Sequence, residues 1–289
     1  MKSLKLLGPL MLTVACTSPE APPRPPAATA PVAVAAAPVA APAAPAVAPA
    51  SAEASAVQEP STAAPTATQT PAAHQVAARA RGIDVSHYQP TVDWDRVKSS
   101  TSFVFIKATD STGVVDPRFA SHWSGAKKAG LPRGAYHFFH PKHDVDQQVA
   151  LFTRHLKSDP GELHPVVDVE EFKTEYQGFT CEQLSGMLQR FSQGVEKELG
   201  RKPMIYTNHQ TWQMSFCNHP YFVDHPLWLA QYTSHATEPK LPPGWKRWLF
   251  WQYSESGTVP GIPGAVDQSY FNGSAQDLMA LSQAQATAD

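Results

Sequence analysis

Asp168 and Glu170 are the residues best placed to act together chemically, within His164-Pro165-Val166-Val167-Asp168-Val169-Glu170-Glu171. The apolar run is short, valine-rich and entered through proline, which reads as a buried strand that surfaces at its C-terminal end. Side chains alternate along a strand, so Val166, Asp168 and Glu170 share one face while Val167, Val169 and Glu171 share the other. Two carboxyls a few ångströms apart at the end of an apolar strand cannot both ionise easily, which pushes one pKa upward. That suits acid catalysis: one carboxyl keeps its proton near neutral pH and its neighbour stays anionic to stabilise positive charge. An isolated Asp-x-Glu is more often a solvated strand end or a structural ion pair than a catalytic pair, so the surrounding elements decide.

From Arg81 onward strand and helix patterns alternate. Strand patterns cover residues 82–86, 103–108, 133–139, 164–171 and 203–207. Between them, Asp93 caps a short helix through Trp94 and Val97, and Asp116-Pro117 starts a helix that stops at Gly130. Residues 144–157 form an amphipathic helix, and Thr180 with Gln183 makes a capping box for a helix ending at Gly200. Three more strand patterns follow, at 226–232, 248–253 and 265–271, with little helix between them. Five βα units followed by a strand-rich closure describe an α/β fold, an irregular barrel with a largely parallel sheet. Active sites of such barrels lie at the C-terminal strand ends, where Asp168 and Glu170 stand.

The first strand carries Asp84 near its end and the last carries Asp267. If the last strand pairs beside the first, four carboxyls converge on one rim. Tyr88, Tyr136, Tyr206, Trp228, Tyr232, Trp251 and Tyr253 fall at or near strand ends. Acids amid aromatic platforms describe a sugar-binding cleft, although core packing is the simpler account of any single ring.

Composition divides the 289 residues unequally, since no Phe, Trp or Tyr precedes Tyr88. Residues 1–16 hold Lys2 and Lys5, a short apolar run and Cys16, the pattern of an export signal too short to span a bilayer. Thr13-Val14-Ala15-Cys16 resembles a bacterial lipobox, with threonine in the usual leucine position, which implies lipidation of Cys16. Residues 17–78 are an alanine- and proline-rich, disordered linker that buries too little surface to order itself and could extend to on the order of 190 Å. Residues 79–289 are then the folded domain, exported and held at the cell envelope or secreted, touching a membrane only through the lipid. In an oxidising compartment Cys181 and Cys217 fit either a disulfide or two buried thiols. A net charge of −2 gives no basic face for a nucleic-acid partner.

Several motifs in order resemble one family: Gly82-Ile83-Asp84-Val85-Ser86-His87-Tyr88-Gln89, Phe103-Val104-Phe105-Ile106-Lys107-Ala108-Thr109, Gly134-Ala135-Tyr136-His137-Phe138, Pro165-Val166-Val167-Asp168-Val169-Glu170, Leu227-Trp228-Leu229-Ala230-Gln231-Tyr232 and Trp251-Gln252-Tyr253-Ser254. Together they look like a family 25 glycoside hydrolase, the muramidase-type lysozymes, over about residues 81–274. The resemblance implies a (β/α)5(β)3 TIM-like barrel that acts, without metal or cofactor and as a monomer, on peptidoglycan glycan strands. The bond expected to break is β-1,4, between N-acetylmuramic acid and N-acetylglucosamine. Carried over by position, Glu170 is the proton donor, Asp168 assists the substrate's 2-acetamido group, and Asp84 and Asp267 line the site. Expected substrate contacts are Tyr88, Tyr136, His137, Tyr206, Trp228, Tyr232, Trp251 and Gln252. Asp110 stands where many relatives carry Glu, and Ser269 where an asparagine is frequent.

His137, His140 and His143 suggest a zinc site by spacing, but Pro141 breaks any helix that would align them and a strand would put neighbours on opposite faces. His137 is instead expected at the barrel rim near the acids. Two rival readings remain: a peptidoglycan-binding lipoprotein that has lost turnover, against which all four acids count, and a zinc amidase, which predicts sensitivity to chelators.

Overall fold

The computed structural model describes residues 78–170, 174–233 and 237–286. The expected signal, Cys16 and the linker through residue 77 lie outside the described residues. Strands β1 (Arg79–Val85), β2 (Phe103–Asp110), β4 (Arg133–Phe138), β5 (Val166–Asp168), β6 (Met204–Asn208), β7 (Leu227–Ala230) and β8 (Phe250–Gly257) pair in parallel, with β1 beside β2. Strand β9 (Val266–Ser274) runs antiparallel between β8 and β1 and closes the barrel. The two-residue β3 (Val114–Val115) is a hairpin arm on the end of β2. The result is an eight-stranded mixed barrel with one short appendage.

The barrel strands are apolar on both faces because both are covered. In β2, Phe103 and Phe105 point into the barrel, where they pack with Trp228, Phe250 and Met204. The alternate residues Val104, Ile106 and Ala108 join the cluster beneath the helices. Ring contacts of 4.3 Å between Phe105 and Trp228 and 5.0 Å between Phe105 and Phe250 fill the lower interior. Gly134 faces the Phe105 ring so closely that a Cβ would stand 2.3 Å from it, and a side chain there would displace the ring.

Helices α1 (Trp94–Lys98), α2 (Phe119–Ala129), α3 (Val145–Leu156), α4 (Cys181–Leu199) and α5 (His209–Ser215) follow the first five barrel strands. Asp93, Asp144 and Asn208 cap α1, α3 and α5 through side-chain oxygens, and the Thr180–Gln183 capping box starts α4. Helix α2 starts later than expected: Arg118 is its N-cap with no side-chain bond, and Asp116 is used elsewhere. Gly130 ends α2 in the left-handed conformation at φ 69°. Two helices lie outside the expected elements, α5 and the final α6 (Ala275–Ala286). Ser274 and Asp277 cap α6 reciprocally, and its Leu278 seals the end of the barrel at which the parallel strands begin. Cys181 and Cys217 are joined in a disulfide across 5.7 Å between Cα atoms, tying the start of α4 to the turn after α5.

Strand β5 stops at Asp168, shorter than the expected strand through Glu171. Val169 still donates its N–H to the Tyr206 carbonyl at 2.9 Å and packs outward, so side-chain alternation persists one residue past the assigned strand.

Candidate active site

The four acids gather as the pairing dictates. Asp84 lies near the end of β1 and Asp267 near the beginning of β9, and because β9 is antiparallel the two are register partners. Asp168 ends β5, opposite Phe138 on β4 and Tyr206 on β6. Together with Glu170, Tyr88 and Tyr136 they line one cleft of about 650 Å³ at the C-terminal rim. A second cavity, of about 500 Å³ at the starts of β7 and β8, has Asp224 as its only carboxyl and offers no acid pair.

Burial raises all four carboxyl pKa values. Asp84, 8% exposed, is pushed well up by burial and then by the Asp267 charge. Asp168, 6% exposed, is pushed well up by burial and then by Glu170. Glu170 rises through burial and the Asp267 charge, partly offset by Lys107 and by a hydrogen bond with Asp168. Asp267 is raised to about 6, chiefly by burial. Burial therefore disfavours the charged form of each of these carboxyls. One Asp168 oxygen, Oδ1, is buried with no hydrogen-bond partner among the described residues, an acceptor beside Glu170.

Gln252 on β8 forms the floor beneath the acids. Its Nε2 donates to Asp84 Oδ2 at 3.0 Å and Asp267 Oδ2 at 3.4 Å, and its Oε1 accepts the Tyr206 and Tyr232 hydroxyls at 2.7 and 2.9 Å. The two phenols can only donate to that oxygen while they stay neutral, which orients the amide with its NH2 toward the acids. Tyr136, in the cleft wall, is likewise held neutral because burial and the Asp84 and Asp168 charges push its pKa well up.

Several expected substrate contacts are corrected by their positions. His137 points away from the cleft: it is fully buried between Thr109 Oγ1 (2.8 Å) and Gln148 Oε1 (3.0 Å) and stacks on Phe191 of α4. Trp228 lies inside the barrel with its indole N–H on Ser269 Oγ, and Trp251 packs beneath the helices with its N–H on the Gln231 carbonyl. Tyr206 and Gln252 sit under the acids with their polar groups already bonded. Tyr88 and Tyr232 remain open to solvent at the rim. Of the three histidines, His140 and His143 stack with ring centroids 5.4 Å apart, but their nitrogens go to Asp110 (2.9 Å) and Ser111, while those of His137 go to Thr109 and Gln148.

The cationic side of the cleft has no signal in the sequence pattern. Lys107 pairs with Asp110 at 2.8 Å and lies over the Phe138 ring at 4.9 Å, and His140 bridges Asp110 and Glu175. Burial raises the Asp110 pKa, but hydrogen bonds from His140 and Lys107 outweigh it and bring it down to about 2. Residues three apart on a regular strand face opposite ways, and the irregular register between Lys107 and Thr109 is what lets this pair meet.

The chain is similar to members of one family. The model of Glycosyl hydrolases family 25 matches residues 83–262. The uncharacterized protein YegX of Escherichia coli (strain K12) is 34% identical over 206 residues, covering 69% of this chain and 72% of YegX. Lysozyme M1 of Streptomyces globisporus is 34% identical over 215 residues, 70% of either protein. The solved bacterial lysozyme from Streptomyces coelicolor aligns with a TM-score of 0.66 at 32% identity, over 72% of this chain and 99% of that one.

Proposed function

This chain belongs to glycosyl hydrolases family 25, and from that membership we propose that it is a peptidoglycan N-acetylmuramidase, cutting the β-1,4 bond between N-acetylmuramic acid and N-acetylglucosamine. Glu170 gives its proton to the glycosidic oxygen as the C1–O bond breaks. The substrate's 2-acetamido oxygen attacks C1 from the other face, while Asp168 accepts the acetamido N–H and stabilises the positive charge that develops. Water then attacks C1 and returns a proton to Glu170, so two inversions give net retention. Asp84 and Asp267 hold sugar hydroxyls and tune the pair, and Tyr136 offers a neutral phenol as donor.

The observation that carries this reading is the open Asp168 Oδ1 next to a Glu170 carboxyl of raised pKa. An acetamido N–H would satisfy that oxygen. The test is digestion of purified peptidoglycan by the full chain, wild type beside Glu170→Gln, with the new reducing ends identified. Reducing N-acetylmuramic acid from the wild type alone is expected. A folded wild type that binds the wall and releases none would instead make this a binding protein.

A lipid on Cys16 would tether the enzyme at the envelope, and the disulfide fits a compartment outside the cytoplasm. Cys16→Ala is expected to move the protein from the detergent phase to the aqueous phase on Triton X-114 partition. An unchanged distribution would remove the anchor. Elution of the full chain as a single copy on light-scattering chromatography is the expected result for a monomer.

A further inference from the structure

Behind the wall of the cleft lies a buried aspartate that this chemistry does not use. Asp116, 3% exposed, precedes α2. Its Oδ2 accepts the backbone N–H of His87 at 3.0 Å and bonds His87 Nδ1 at 2.8 Å, and its Oδ1 accepts the N–H of Arg118 at 2.9 Å. A carboxylate buried this way is tolerated because donors surround it.

What it holds is a cleft residue. His87 lines the cleft with a side chain 41% exposed. With Nδ1 spent on Asp116, its Nε2 has no protein hydrogen bond among the described residues. Its ring lies against Tyr88, the centroids 4.2 Å apart at a 34° tilt, and Tyr88 is 79% exposed. The backbone beneath the two rings is fixed as well. Ser86 donates its N–H to Gln89 Oε1 at 3.1 Å, Tyr88 donates its N–H to Ser86 Oγ at 3.3 Å, and His122 of α2 bonds the Ser86 carbonyl at 3.3 Å. A carboxylate on Nδ1 selects the Nδ1–H tautomer and leaves Nε2 a lone pair facing outward.

We infer that Asp116 and His87 form a substrate-positioning dyad: Asp116 fixes the tautomer, and His87 Nε2 accepts a hydrogen bond from the acetamido N–H or a hydroxyl of an N-acetylated sugar lying against Tyr88. The inference rests on the glycan reading of the same cleft. Asp116 acts through His87 and touches no substrate.

The test uses the full chain carrying Glu170→Gln, so that bound glycan is not consumed, and follows binding of a purified tetrasaccharide of alternating N-acetylglucosamine and N-acetylmuramic acid by calorimetry. His87→Phe keeps the ring stack and removes Nε2, and it is expected to weaken binding about three- to tenfold. Asp116→Asn is expected to weaken it similarly, and the double variant no more than either single one, because one hydrogen bond is being removed twice. Nitrogen-15 spectra of the His87 ring should show a protonated Nδ1 in the parent protein and a mixture of tautomers in Asp116→Asn. If Asp116→Asn does not fold, His87→Phe and the spectra of the parent still decide.

Unchanged affinity in His87→Phe, additive losses, a protonated Nε2 in the parent, or a parent that binds no tetrasaccharide overturns the dyad. Absence of new reducing ends from the wild type with tetrasaccharide binding intact removes the hydrolase reading and leaves the dyad standing. A wild type that cleaves while the variants bind as tightly as the parent does the reverse.

Discussion

At the scale of single residues, burial makes the cleft carboxyls costly to ionise. Asp168 is buried and its pKa is raised, so its ionised form opposes folding. Asp168→Asn keeps the shape and removes the charge. It is expected to melt about 2–4 °C higher at pH 7 while turnover drops at least about a hundredfold; a lower melting temperature would show that the carboxylate is better compensated than its surroundings indicate. The pH dependence has a definite sign. Asp267 has a folded pKa of about 6, above its unfolded value near 4. Its contribution to stability is therefore fully present below about pH 4 and is lost as pH rises through 6. Thermal melts of the wild type from pH 4 to 7 should fall through that range, and the Asp267→Asn curve should be flatter. Asp110 has the opposite sign: held down to about 2 by His140 and Lys107, it stabilises above pH 4 and loses that contribution as pH falls toward 2.

Whole elements decide what those residues can reach. Strand β9 delivers Asp267 to the rim only because it is antiparallel: its start meets the ends of the other strands. Helix α6 extends directly from β9 and places Leu278, 1% exposed, among the residues that plug the lower interior. Leu278→Ala is expected to cost about 2–4 kcal/mol in urea unfolding with the slope unchanged. A change under about 0.5 kcal/mol would mean that the helix covers the barrel without supporting it. The irregular register in β2 is the third such device, since it turns Lys107 and Asp110 to the same side.

For the molecule as a whole, closure of the sheet and the disulfide constrain the chain in different ways. The barrel leaves no unpaired edge in its eight strands, and its largely parallel pairings join residues well separated in sequence. The Cys181–Cys217 bond closes a loop with a sequence separation of 36. Its loss through Cys181→Ala/Cys217→Ala is expected to lower stability by about 2–4 kcal/mol. Activity of the folded fraction should persist, because no residue of α4 or of the turn after α5 lines the acid cleft. A folded but inactive double alanine variant would instead connect this region to the cleft.

The sequence alone determined the βα order, the caps at Asp93, Asp144 and Thr180, the stop at Gly130, and the identity and rim position of the four acids. These follow from local rules: periodicity of two or 3.6 residues, side-chain oxygens before helices, glycine after them, and alternation along a strand. The Ser274–Asp277 pair that starts α6 obeys the same local rule and was there to be read. Only the tertiary structure decided which aromatic rings face the cleft and which face the core. Trp228 and Trp251, near the starts of β7 and β8, and His137, near the end of β4, turn to the barrel interior or the helices, whereas Tyr136 of β4 and Tyr88 just past β1 line the cleft. Direction at a strand end depends on strand stagger, on where the assigned strand stops and on what covers each face, and none of these is encoded in the spacing of residues along one segment. Pairings such as Lys107 with Asp110, Gln252 with Asp84, and Asp116 with His87 depend on an irregular register or on contacts between elements distant in sequence, and so they exist only once the barrel has closed.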